Sequence, residues 1–141
     1  DCLLSRGLGD VYKRQLESNK YFRSKEFLGK KNLVVSFFAT WCVPCAKEIP
    51  ELIKMSTEFE DDFQFVLVDV NEKKDKVQKH VDEKNISLQV ILDKYGRVFK
   101  SFGGETLPLL VVIDKKGAIS YYHTGYKKGD EKKLNKHLKS L

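Results

Sequence analysis

The stretch that decides the fold runs Leu33-Val34-Val35-Ser36-Phe37-Phe38-Ala39-Thr40-Trp41-Cys42-Val43-Pro44-Cys45. Its first half is a run of β-branched and aromatic residues, which is typical of a strand buried on both faces. Its second half places two cysteines three positions apart. Apolar residues then recur at helical spacing, at Ile49, Leu52, Ile53 and Phe59. The sequence therefore predicts a buried strand that turns into a helix, with both thiols at the turn.

Thiols at the start of a helix are chemically activated. The first N–H groups of a helix lack partners within it, and the helix dipole is positive there, so both features stabilise a thiolate. We predict that Cys42, nearer the helix start, is the exposed thiolate that attacks a disulfide. Cys45, one turn further in, is predicted to resolve the mixed disulfide. Between them, Val43 and Pro44 tune the pair, because proline has no N–H and suits a first turn.

Two cysteines at this spacing could also form half of a zinc site or be inert buried side chains. Structural zinc takes four ligands, whereas the sequence has no second pair of this kind, and His80, His123 and His137 show no paired spacing. We interpret these histidines as ordinary surface or core side chains. Ala46 stands where the haem-attachment pattern requires histidine. Redox chemistry is favoured, and a metal chaperone or a binding module that uses the thiols as ligands is the alternative.

Composition and charge limit the class of protein. Of 141 residues, 26 are Lys or Arg and 20 are Asp or Glu, which gives a net charge of +6. The lysines are interspersed with acidic residues, as at residues 72–76, which indicates a solvated surface and no nucleic-acid partner. No stretch approaches the ~18 apolar residues that span a bilayer. The length suits one domain.

The first 15 residues are set apart from the fold. Residues 10–15 read Asp-Val-Tyr-Lys-Arg-Gln, which the string GATGTGTATAAGAGACAG of a transposase sequencing adaptor encodes. We therefore predict that residues 1–15 are a non-native, adaptor-derived segment and that residues 16–141 form the domain. A native disordered start is the alternative. On the adaptor hypothesis Cys2 has no function, and a signal peptide or membrane anchor has been lost with the native N-terminus.

The remaining elements alternate between strands and helices. The pattern predicts a strand at 63–70 and a helix at about 75–84 with Val77 and Val81 inward. A strand near 87–92, a short helix capped by Asp93 and a hairpin of 109–113 and 118–122 are predicted to follow. The last helix is predicted to begin at about Asp130, with Leu134, Leu138 and Leu141 on one face. Parallel βαβ units, then an antiparallel hairpin and a helix, predict a three-layer α/β/α sandwich with a mixed central sheet.

Residues 20–141 resemble the thioredoxin superfamily, and within it the TlpA/ResA-like thiol-disulfide oxidoreductases that include the cytochrome c maturation thioredoxins. The matching motifs are residues 37–45, Glu48-Ile49-Pro50 and residues 107–117. The chain departs from the general cytosolic thioredoxins at Ser36, where they carry a buried aspartate, and residues 109–111 replace the family's Thr-Thr-Phe.

The resemblance implies a thioredoxin-like fold and a reductase of protein disulfides. The resemblance also implies that the protein uses no cofactor other than the redox-active disulfide Cys42–Cys45. Its partners would be disulfide-containing proteins and an upstream electron donor or acceptor. The implied location is the periplasm or another extracytoplasmic site, with the native protein attached to a membrane.

Further site residues follow from the same resemblance. Glu48, one turn after Cys45, could accept a proton from it if burial raises the glutamate pKa toward neutrality; a solvated glutamate is the alternative. The Leu107–Pro108 bond is implied to be cis and to face the cysteines, so that the Leu107 backbone pairs with an extended substrate; an ordinary trans proline is the alternative. Trp41 is predicted to shield the sulfurs and offer an apolar platform, or else to serve packing alone.

Overall fold

The computed structural model describes residues 12–14 and 21–141. Its elements in chain order are β1 (Tyr12–Arg14), β2 (Tyr21–Arg23), a 3-10 turn (Ser24–Phe27), β3 (Asn32–Phe38), α1 (Val43–Glu58), β4 (Phe63–Val70), α2 (Lys74–Glu83), β5 (Gln89–Asp93), α3 (Arg97–Ser101), β6 (Leu109–Ile113), β7 (Ile119–Thr124) and α4 (Asp130–Lys139).

A five-stranded mixed sheet forms the centre of the molecule, in the order β5-β4-β3-β6-β7. The β3, β4 and β5 strands run parallel, and β6 pairs antiparallel with both β3 and β7. All seven residues of β3 are buried, because this strand lies in the middle of the sheet with layers on both faces. The predicted three-layer sandwich with a mixed sheet is confirmed.

The two faces of the sheet carry separate apolar clusters. On one face, Val34 and Phe38 pack with side chains from α1, α2 and α4. On the other face, Phe37 packs against the rings of Phe99 and Phe102, at centroid distances of 5.6 and 5.4 Å. Burial of one such side chain contributes about 1.5–3 kcal/mol, so the position of β3 is strongly determined. The cysteines belong to the first cluster, on the helix face of the sheet.

Two local predictions differ from the structure. Asp93 does serve the short helix, since its carboxylate accepts the N–H groups of Val98 and Phe99, at 3.3 and 2.9 Å. The cap position itself, however, is Gly96, whose φ of 69° is left-handed. Leu141 was predicted to share the buried face of the last helix and does not. Because α4 ends at Lys139, Leu141 lies beyond it and is 47% exposed.

The N-terminal prediction concerns residues that lie mostly outside the described ones. Within residues 1–15, only the backbone of β1 is described, and it pairs antiparallel with β2. The adaptor origin of this segment and the boundary at residue 16 stay predictions, and Cys2 lies outside the described residues. Among the described helices, none combines the length and apolarity that a membrane crossing requires.

The loop that leads into β6 packs tightly against α3. Gly103 has a φ of 75°, which favours glycine. Gly104 has an ordinary φ, but a Cβ at this position would overlap the ring of Phe99. This close approach fixes the start of the segment that carries Leu107–Pro108.

We expect Gly104→Ala to lower the free energy of unfolding by about 2 kcal/mol, because overpacking a core costs roughly 1–3 kcal/mol. Urea unfolding measures the change. Phe99→Leu shortens the overlapping ring, so the double variant should lose less than the sum of the single losses. Strict additivity would contradict this account of Gly104.

Candidate active site

The two cysteines occupy the first turn of α1. Cys42 is the N-cap residue, with extended backbone, and its Sγ accepts the N–H of Cys45 at 3.3 Å. The two sulfurs form a disulfide, with the Cα atoms 5.3 Å apart. Because Pro44 has no N–H, the Cys45 N–H is the donor that this turn directs at the Cys42 sulfur. Helix start and hydrogen bond together favour negative charge on Cys42.

The disulfide is buried between exposed apolar side chains. Cys42 is only 4% exposed and Cys45 1%, whereas Trp41 is 68% and Val43 65% exposed. Cys42 is therefore not exposed in the disulfide form, and the exposure of its thiolate in the reduced protein stays a prediction. The bond to Cys45 holds the Cys42 sulfur on the inner side of the helix, which explains its burial. Trp41 packs little of its surface, so the structure contradicts a pure packing role for it.

The Leu107–Pro108 loop lies beside this turn. The bond between these two residues is cis, as the resemblance implies. Leu107 and Trp41 line a common cleft of about 430 Å³, whose other lining residues are Val70, Asn71, Phe99, Glu105 and Thr106. Pro108 is buried, and its carbonyl accepts the N–H of Gly125 at 2.8 Å. The N–H and carbonyl of Leu107 bond to no described residue, so both can pair with an added segment.

Glu48 is buried beneath the cysteines. It lies one turn after Cys45 on the inner face of α1 and is 4% exposed. The hydroxyl of Ser36 donates to its Oε1 at 2.9 Å. Burial raises the pKa of Glu48 to about 7; the Ser36 hydrogen bond opposes this shift, and the charge of Asp130 adds to it. Glu48 is thus able to gain or lose a proton near neutral pH, and it is not a solvated glutamate.

A second buried acid, Asp69, was missed by the sequence reasoning. It stands on β4 opposite Phe38 and is 0% exposed. Neither of its carboxyl oxygens has a well-formed hydrogen bond to a described residue. Burial raises the pKa of Asp69 to about 9, and the neighbouring Glu72 adds to the shift, so this acid is neutral at pH 7. Strand alternation was the available signal, because it places Asp69 on the same face as Leu67.

The histidines have separate partners. His123 Nε2 lies 3.1 Å from an Asp130 oxygen, and His137 Nε2 lies 2.9 Å from the Ser120 hydroxyl. The ring of His80 lies 6.4 Å from that of Phe38. Within the described part of the chain, no group of three or more His, Cys, Asp or Glu side chains is arranged to hold a metal ion.

Comparison with known proteins agrees with this geometry. The Redoxin family model matches residues 12–138. Thiol-disulfide oxidoreductase ResA of Halalkalibacterium halodurans is 32% identical over 96 residues, which are 67% of this chain and 54% of that protein. The chain thus spans about half the length of the curated relatives it matches.

Solved structures give the same fold. A thiol:disulfide interchange protein of the thioredoxin family from Chlorobium tepidum superposes with a TM-score of 0.78 and 28% identity, covering 93% of this chain and 92% of its own. A candidate DsbE-type interchange protein from Chlorobium tepidum gives a TM-score of 0.86 at 21% identity, with coverage of 93% and 92%. The sheet order and helices described above are those of a thioredoxin-like fold.

We expect Asp69→Asn to stabilise the protein at neutral pH. The ordinary pKa of aspartate is 3.8, and burial raises that of Asp69 to about 9 in the folded protein. Raising the pH between these two values therefore favours unfolding increasingly. In urea unfolding, the gain of the Asn variant should be nearly absent at pH 3.5 and on the order of 4 kcal/mol at pH 7, because pH 7 lies about 3 units above the unfolded pKa.

Asp61→Asn is the matched control for this experiment, because Asp61 is exposed. It should leave the free energy of unfolding unchanged at both pH values. An Asp69→Asn variant that is less stable than the wild type at both pH values would contradict a neutral Asp69.

Proposed function

Because the chain belongs to the Redoxin family, in the TlpA/ResA-like branch of the thioredoxin superfamily, we propose that it is a thiol-disulfide oxidoreductase that reduces disulfides in other proteins. One observation carries the proposal: the Cys42–Cys45 pair lies at the start of α1, and the Cys45 N–H is directed at the Cys42 sulfur. A sulfur in this setting is readily a thiolate, which is the nucleophile in disulfide exchange.

Reduction of a substrate disulfide takes two exchange steps. The Cys42 thiolate attacks one substrate sulfur, the substrate S–S bond breaks, and one substrate thiolate leaves as the mixed disulfide forms. Cys45 then loses its proton and attacks the Cys42 sulfur, which closes the Cys42–Cys45 disulfide and releases the second substrate thiolate. Two electrons pass from the dithiol to the substrate, and an upstream dithiol donor must return them. The cycle uses no bound cofactor.

Glu48 is the proposed proton acceptor in the second step. Its position one turn after Cys45 and its pKa of about 7 suit it to take the Cys45 proton and to return it on re-reduction. Ser36 steadies the carboxylate through its hydroxyl. No other acidic group shares the inner face of α1 with the cysteines.

The docking surface proposed for the substrate surrounds the sulfurs. Trp41, Val43 and Pro44 supply an exposed apolar rim. Opposite them, the N–H and carbonyl of Leu107 are available for strand-like pairing beside Pro108. Backbone pairing tolerates many substrate sequences, so partners share an accessible disulfide in an extended segment.

We further propose that the chain acts as a reductase and not as an oxidase, and that it acts outside the cytoplasm. Both are supported by the TlpA/ResA resemblance, as is a role in cytochrome c maturation. Insulin reduction driven by dithiothreitol tests the activity directly, and a redox titration gives the direction of electron flow. Parallel zinc and copper titrations test the alternative in which the thiols serve as metal ligands.

Replacing Cys42 and replacing Cys45 are expected to impair turnover in different ways. Cys42→Ser should abolish turnover, because only this sulfur meets the substrate, whereas Cys45→Ser should accumulate mixed disulfides that it cannot resolve. Non-reducing electrophoresis distinguishes these outcomes. In the reduced wild type, iodoacetamide should label Cys42 faster than Cys45, and the reverse order would contradict the assigned roles.

Glu48 is expected to shape the dependence of turnover on pH. An ionised Glu48 is needed to accept the Cys45 proton, so the rate should rise with pH around a midpoint near 7. Glu48→Gln should lower the rate at pH 7 by roughly 100-fold and remove this rise. Glu51→Gln, on the same helix but one-third exposed, is the control and should keep the wild-type profile. An unchanged profile in Glu48→Gln would exclude the proposed role.

A further inference from the structure

Thr40 is attached to a distant part of the chain by two short hydrogen bonds. Its N–H donates to Glu72 Oε1 at 2.7 Å, and its hydroxyl donates to Glu72 Oε2 at 2.6 Å. Both bonds are charge-assisted, and together they engage both oxygens of one carboxylate. Glu72 lies in the loop between β4 and α2. The contact therefore joins the loop before α2 to the turn that carries the cysteines.

Other contacts also hold this turn. Its backbone bonds run from the N–H of Cys42 to the carbonyl of Ala39, at 3.1 Å, and from the N–H of Ala46 to the carbonyl of Cys42, at 3.2 Å. The side chains of Trp41 and Val43 are largely exposed, whereas Ala39 and Cys42 are buried in the apolar cluster on the helix face of the sheet. In the oxidised protein the disulfide also restrains Cys42, and reduction removes that restraint. The Thr40–Glu72 contact then remains as the polar side-chain link between the turn and the loop before α2.

Glu72 is held in place by the groups around it. Its side chain is 5% exposed, and Lys76 Nζ lies 3.3 Å from its Oε2. Burial would raise the pKa of Glu72, but its contacts with Asp69, Thr40 and Lys76 outweigh that effect and lower the pKa below its ordinary value. His80 on α2 also lies within the range of the Glu72 charge. Glu72 is thus a half-buried anion, and it depends on these neighbours to remain one.

Asp69 on β4 is the neighbour of Glu72 on the side of the sheet, and the proposed exchange steps do not involve Asp69. Its carboxyl group is fully buried beside Glu72, with Lys76 and Asp93 as the other charged neighbours. Burial raises the pKa of Asp69 to about 9, so at neutral pH Asp69 places no second negative charge against Glu72.

We propose that Glu72 is a positioning residue for Cys42: its carboxylate holds Thr40, and with it the Trp41–Cys42 turn. The inference rests on the proposed function only in that the turn carries the exchanging thiol. It assigns Glu72 no contact with substrate. The effect of Glu72 is to keep the Cys42 sulfur where the Cys45 N–H can reach it.

A positioning role and a direct charge effect of Glu72 predict opposite changes in the alkylation rate of Cys42. If Glu72 acted on Cys42 mainly through its negative charge, Glu72→Gln would ease ionisation of the thiol and speed its alkylation. If Glu72 positions the turn, Glu72→Gln should slow alkylation of reduced Cys42 near neutral pH by roughly tenfold, which is the weight of one such hydrogen bond. Thr40→Val removes only the hydroxyl donor and keeps the side-chain shape, so it should slow alkylation in the same direction.

The double variant tests whether the two residues act as one unit. Thr40→Val/Glu72→Gln should be little slower than Glu72→Gln alone, because the second change removes a bond that is already lost. Faster alkylation in Glu72→Gln, or strictly multiplicative losses in the double variant, would overturn the proposal.

The alkylation readout requires no protein substrate. If the wild type fails to reduce insulin, the proposed function is wrong and the alkylation results still decide the positioning role. If the wild type reduces insulin and Thr40→Val and Glu72→Gln alkylate at wild-type rates, the positioning role alone is wrong.

Discussion

The site depends on one constraint: β3 is buried on both faces and ends just before α1 begins. Phe37 and Phe38 point to opposite faces and have no exposed surface, so the end of the strand cannot shift without opening one of the two clusters. The turn that follows must therefore place Cys42 at the helix start, where the Cys45 N–H meets its sulfur. The same packing directs the inner face of α1 at the sheet, which buries Cys45 and Glu48 together.

The parts of this arrangement that depend on local pattern could be predicted from sequence. The apolar run of β3 and the helical spacing of α1 suffice to place the cysteines at a strand-to-helix turn. The burial of Cys42 could not be predicted in this way, because it depends on whether the Cys42–Cys45 disulfide lies on the inner or the outer side of α1. The Thr40–Glu72 contact spans 32 positions, and it depends on the path of a loop that no periodicity describes. The cis Leu107–Pro108 bond came from the family resemblance and not from pattern.

Two acids buried on the same face of the sheet differ because their partners differ. Burial raises the pKa of both, but Glu48 receives the hydroxyl of Ser36, which favours its ionised form and leaves its pKa near 7. Asp69 instead faces another carboxylate, which disfavours its ionised form and helps to bring its pKa to about 9. One acid can therefore exchange a proton at neutral pH, while the other remains neutral.

Both acids reduce the stability of the domain, since each keeps a proton that it would release in the unfolded chain at neutral pH. Glu48 lies beneath the cysteines, and Asp69 lies at the end of β4, beside the last residue of β3. The cost in stability is thus concentrated around the strand-to-helix turn, while the apolar clusters carry the fold. Such a distribution is expected where ionisable groups are held for the chemistry of a site and not for the stability of the fold. The buried acids, more than the exposed lysines that dominate the charge, distinguish this end of the sheet.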